Sequence, residues 1–179
     1  MGNLTSNHSN NLYNLNPEPM RHLAVYTDGG YVAKQDIGGW GVVIIDQNNQ
    51  HQRFSGWQRH TSSLEMELQA AVHALEHIRE SSQNDIPIQL FTDSKILIEG
   101  LDYKIRQYRQ QKWIHKSGRP VESRSLWERL EHLTNTLKVT VKWVKGHKNT
   151  PGNLIADQLA REAINGFHSV NSEAEALLG

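Results

Sequence analysis

Between Trp57 and Leu64 the apolar residues change their period, and that change divides the chain into two kinds of structure. Before it come three short β-prone runs: residues 22–27, residues 39–46 (GWGVVIID) and residues 51–57. The turn residues 46–50 join the last two. No helical pattern separates these runs, so they are predicted to form an antiparallel meander. After it, Leu64, Leu68, Ala71, Val72, Leu75 and Ile78 recur at three- and four-residue steps, as an amphipathic helix requires. Ser62 with Glu65 reads as a capping box at its start.

Strands and helices then alternate. Residues 86–92 (IPIQLFT) give a fourth strand. Helical patterns cover 94–112, broken at Gly100, and 125–136. Residues 138–145 (KVTVKWVK) alternate as a fifth strand, and 151–164 form a last helix that Gly166 is expected to stop. The predicted architecture is α/β: a mixed five-stranded sheet, three strands antiparallel and two parallel, flanked by helices.

Residues 1–19 are Asn-rich and end in Pro-Glu-Pro; too apolar-poor to offset chain entropy, they read as a disordered extension. Residues 20–168 read as one domain and 169–179 as a flexible tail. The absence of cysteine excludes disulfides, thiolate metal sites and thiol nucleophiles. No apolar run reaches the length of a membrane span, and the first twenty residues carry no secretory signal. A free-standing, cytoplasmic, monomeric chain is the expectation. Lys and Arg balance Asp and Glu at 19 each, so any attraction to a polyanion must be local.

Four acids stand out. Asp28 and Asp93 each follow a threonine at a strand end, where an aspartate often serves only as a cap. Capping does not explain Glu67 or Asp157, which fall inside helical patterns. Carboxylates gathered at one point raise each other's pKa unless cations neutralise them. Oxygen ligands without Cys/His spacing favour magnesium or manganese over zinc, and with them phosphodiester chemistry.

The segments that carry these acids are YTDGG (26–30), MELQAAVHAL (66–75), FTDS (91–94) and WVKGH (143–147) with ADQLA (156–160). In order and spacing they resemble type 1 ribonuclease H, over about residues 23–163. The resemblance implies an endonuclease that hydrolyses the RNA strand of RNA–DNA hybrids with two Mg2+ ions, Mn2+ being a possible substitute, and leaves 5′-phosphate and 3′-hydroxyl ends. It puts metal binding on Asp28, Glu67, Asp93 and Asp157, with Asp28 bridging the ions. It gives His147 a role in proton handling or product release. Two other readings are a hybrid-binding module with weak chemistry, and a nuclease of the same fold acting on other structured nucleic acid.

Substrate contacts are expected from backbone groups at Gly29 and Gly30, and from Lys34, Ser62, Ser63, Lys95, Lys104, Arg109 and Lys112. Residues 101–126 hold seven basic side chains against two acids, interleaved with Tyr103, Tyr108 and Trp113, a pattern suited to phosphate contact. Trp113 and Trp127 read as core. The chain departs from the common bacterial pattern at Lys34, Ser63, Leu64, Lys95 and Lys104, where amide or aromatic residues are usual. Charge is expected to replace some amide contacts there.

Overall fold

Strand β1, Leu23–Val32, is the axis of the molecule. The structure is a computed structural model that describes residues 22–146 and 150–178, with side chains as far as residue 167. The N-terminal extension and His147 lie outside the described residues. β1 pairs antiparallel with β2 (Ile37–Ile45), which pairs antiparallel with β3 (His51–Arg59). On its other side β1 pairs parallel with β4 (Ile88–Thr92), which pairs parallel with β5 (Val139–Trp143). The sheet order is β3-β2-β1-β4-β5, the predicted mixed five-stranded sheet. The β2–β3 turn is held by Asp46, whose carboxylate accepts from the amides of Asn48 and Gln50 at 2.8 and 2.9 Å, an aspartate-stabilised turn.

Helix α1 (Ser63–Glu80) covers one face and α5 (Pro151–Leu178) the other. Glycines set how closely each approaches. A methyl on Gly38 would overlap Met66 of α1, whereas methyls on Gly39 and Gly41 would overlap the carbonyls of Ala160 and Ala156 of α5. The switch of face between 38 and 39 is the alternation of a strand. Ser62 caps α1 by accepting from the Glu65 amide at 3.2 Å, but the Glu65 side chain accepts from Gln58 instead of closing the box. α4 (Arg124–Thr136) lies against α1, and the core runs continuously from the sheet through α1 to Trp113 and Trp127, which are buried as expected.

Three boundaries differ from the expectation. β1 does not end at Thr27 but runs on through Asp28 to Val32, because β2 supplies a partner for every residue to Val32. Gly100 does not break its helix. The chain passes from α2 (Lys95–Glu99) through one π-helical turn, Gly100–Lys104, into α3 (Ile105–Gln110), and the bare Cα of Gly100 makes room for the Trp127 ring. Gly166 does not stop α5, which continues to Leu178. Glycine lowers helix propensity without forbidding a helix, and here the preceding turns are already docked on the sheet. A methyl on Gly166 would meet open space. Gly166→Ala is therefore expected to stabilise the fold by about 1 kcal/mol, read as a rise in melting temperature of about 2–4 °C. No rise would contradict a helix that is continuous through this position.

Candidate active site

The parallel register between β1 and β4 ends at Tyr26↔Phe91. Counted on by two residues, it sets Asp28 beside Asp93, just where the two strands cease to pair. Thr27 and Thr92 between them are fully buried, so the acids emerge from a closed floor. Glu67 reaches the same point from α1. It can do so because Gly29 has no side chain: a methyl there would overlap the backbone of Met66 and Glu67.

Asp28, Glu67 and Asp93 each offer a carboxylate oxygen, and these oxygens lie within 4.8 Å of one another. Asp28 is 7% exposed and Glu67 8%. Burial first, then the charges of Asp93 and Asp157, push the Asp28 carboxyl up to about 7, against a partial restraint from the Gly29 amide, which donates to it at 2.9 Å. Burial, then Asp28 and Asp93, push Glu67 well above the usual carboxylate range. Oε2 of Glu67 is buried without a hydrogen-bond partner among the described residues. A set of oxygen donors this close, with one orphaned oxygen, fits a hard divalent cation: such an ion takes oxygen ligands and relieves the repulsion between the acids.

Asp157 lies on α5, near enough for its charge to act on Asp28. It is bridged to Arg161 at 2.8 Å, one helical turn on, and is not one of the three acids within 4.8 Å of one another. The structure therefore brings together three of the four expected acids, with the fourth beside them.

The expected substrate contacts are more scattered. Gly30 is partly buried, with open space where a side chain would be. Lys34 is exposed in the β1–β2 turn and Ser63 on the first turn of α1, whereas Ser62 is engaged as the cap. Lys104 and Arg109 are not bare charges: the Lys104 ammonium lies 2.5 Å from the Glu99 carboxylate, and Arg109 pairs with Glu131. Lys112, Lys116 and Arg119 have no carboxylate partner among the described residues. Lys116 and Arg119 line an open cavity of about 630 Å³ with Lys104, Tyr108 and His115.

Two residues beside Asp93 escaped the sequence reading. The Trp143 indole donates to the Asp93 backbone carbonyl at 3.3 Å, and a methyl on Gly146 would overlap the Asp93 carboxylate. The only signal in the sequence was a tryptophan three residues before a Gly-His pair, and nothing local says what Trp143 or Gly146 touches.

The family model for RNase H matches residues 20–165. Ribonuclease H of Ruthia magnifica subsp. Calyptogena magnifica is 41% identical over 145 residues, 81% of this chain and 97% of that protein. Ribonuclease H of Dichelobacter nodosus is 34% identical over 157 residues, 87% of this chain and 99% of its own. Among solved structures, LC9-RNase H1, described as a type 1 RNase H with the type 2 active-site motif, superimposes with a TM-score of 0.69 at 26% identity. That alignment covers 83% of this chain and 74% of the other.

Proposed function

Since the chain belongs to the ribonuclease H family, we propose that it is an endonuclease that hydrolyses the RNA strand of RNA–DNA hybrids using divalent metal ions. The observation that carries this reading is the buried convergence of Asp28, Glu67 and Asp93. These acids, with Asp157, would hold two Mg2+ ions, for which Mn2+ can substitute. Bound there, the ions would supply an activated water and stabilise the leaving oxygen of a phosphodiester, leaving 5′-phosphate and 3′-hydroxyl ends.

The chain's own residues hold the site ready for this. Burial keeps bulk water from Asp28 and Glu67, so a cation that displaces their protons would be attracted to them with little screening. Arg161 holds the Asp157 carboxylate on the α5 side. His147, which falls between β5 and α5 in the sequence, would take part in proton handling or product release near the scissile phosphate. RNA would be distinguished by its 2′ hydroxyls across a shallow minor groove, read by backbone groups at Gly29 and Gly30 and by Glu67.

Phosphate contacts along the rest of the duplex would fall to Lys112, Lys116 and Arg119 more than to Lys104 and Arg109, whose charges Glu99 and Glu131 already partner. Alanine at Lys112, Lys116 and Arg119 together is expected to flatten the dependence of log affinity on log salt by about 1 for each charge lost. Alanine at Lys104 and Arg109 is expected to change it less per charge. An equal change of slope per charge removed in the two variants would contradict the assignment.

The function is tested with labelled RNA–DNA hybrid, double-stranded RNA and DNA duplex, in magnesium and in chelator. Cleavage of the RNA strand of the hybrid alone, abolished by chelator, is the expected result. Hybrid binding without cleavage would instead support a binding module. Cleavage of a DNA junction in preference to the hybrid would support a different nuclease on the same fold.

A further inference from the structure

We propose that Trp143 is a positioning residue that fixes Asp93 and Lys95 together, so that one side chain serves both the retention of metal and the grip on the substrate strand. The part that concerns substrate rests on the hybrid-nuclease reading above.

Trp143 ends β5 in register with Thr92, one residue from Asp93. The chain then runs alongside that acid. The Val144 amide donates to the Thr92 carbonyl at 2.9 Å, the Trp143 indole N–H donates to the Asp93 carbonyl, and Gly146 lies against the Asp93 carboxylate. The backbone of a proposed metal ligand is thus held by an indole N–H, as outer partners commonly orient the groups that bind metal.

The same ring carries a cation. The Lys95 ammonium lies 5.8 Å from the Trp143 ring centroid, within the range of a cation–π contact. Lys95 is the first helical residue after Asp93-Ser94, where the helix dipole favours an acid over a base. Helix stability therefore does not account for a lysine there. Nor does core packing account for Trp143, which is half exposed at 50%; a buried role would hide a ring of this size. Both residues are explained if the indole face parks the ammonium beside the metal site. From there it meets a phosphate of the strand being cut.

The test uses Trp143→Phe, which keeps a ring face but loses the N–H, Trp143→Leu, which loses both, and Lys95→Gln. Manganese binding is measured by calorimetry without nucleic acid, and KM and kcat on the hybrid are measured separately. Melting temperature in chelator reports any general loss of stability. Trp143→Phe is expected to weaken manganese binding by about 10-fold with a smaller change in KM. Lys95→Gln is expected to raise KM several-fold with manganese binding unchanged. Trp143→Leu is expected to do both, and adding Lys95→Gln to it should raise KM no further. Manganese binding at the wild-type affinity in both tryptophan variants would overturn the proposal. So would independent, multiplicative effects of Trp143→Leu and Lys95→Gln on KM. Because the calorimetry needs no substrate, a protein that failed to cut hybrid would refute the proposed function while the role of Trp143 at Asp93 was still decided.

Discussion

Asp28→Asn is expected to abolish metal-dependent cleavage and at the same time to raise the melting temperature of the metal-free protein at pH 8. The two effects have one cause. Asp28 is buried among other acids, and its carboxyl is pushed from the ordinary 3.8 up to about 7. The native state therefore holds this proton more tightly than the unfolded chain does. Between about pH 4 and 7 the unfolded state releases its proton first, so the stability of the metal-free fold falls as pH rises through that window, and above it this group adds no further loss. At about 1.4 kcal/mol per pKa unit, a carboxyl moved that far destabilises the metal-free fold at pH 8 by on the order of 4 kcal/mol. An amide of the same shape removes that penalty, because it carries no charge to bury. It also removes the ligand, and a loss of about 10³-fold or more in rate is expected, the scale of deleting one preorganised electrostatic group. The checks are melting curves in chelator at pH 5 and pH 8, and initial rates in magnesium. The stabilisation should be large at pH 8 and much smaller at pH 5. A variant that melts lower than wild type at both would contradict the burial argument.

Gly29→Ala is expected to be the most damaging single methyl in the active site. The added carbon would meet the backbone of Met66 and Glu67, not the movable end of a side chain. α1 cannot slide away cheaply, since Met66, Leu68, Ala70 and Ala71 are all fully buried. Overpacking of this kind destabilises by about 1–3 kcal/mol. The displaced Glu67 would then lose its place in the acid cluster, and misplacement by about 1 Å costs on the order of 10² in rate. Gly30→Ala is the matched control for stability, because nothing among the described residues lies within 4 Å of its added methyl. It is expected to melt nearly as wild type. Equal melting of the two variants would contradict the close approach of α1 to β1.

Much of the fold was legible in the sequence because its signals are local. The change of period after Trp57, the turn residues around Asp46 and the alternation of residues 138–145 each follow from the geometry of one element. The meeting of Asp28 and Asp93 could be anticipated as well, because two Thr-Asp pairs at matching positions of neighbouring parallel strands fall together, although β1 runs on past Asp28. What was not legible depends on contacts between elements distant in the chain. Gly100 looked like a helix break and is a socket for Trp127, 27 positions on. Gly166 looked like a stop, because propensity alone does not know that α5 is already seated on Gly39 and Gly41. Lys104 and Arg109 looked like phosphate contacts until Glu99 and Glu131 came into place beside them. Trp143 gave no hint that it would reach across to Asp93.

The most direct measurement is a crystal structure of the protein grown or soaked in manganese, with the ions located by their anomalous scattering. Two ions are predicted beside Asp28, where β4 parts from β1, with oxygens of Asp28, Glu67 and Asp93 around them and Asp157 completing the set from α5. Manganese found only elsewhere on the surface, or no ordered manganese among these carboxylates at saturating concentration, would contradict the account.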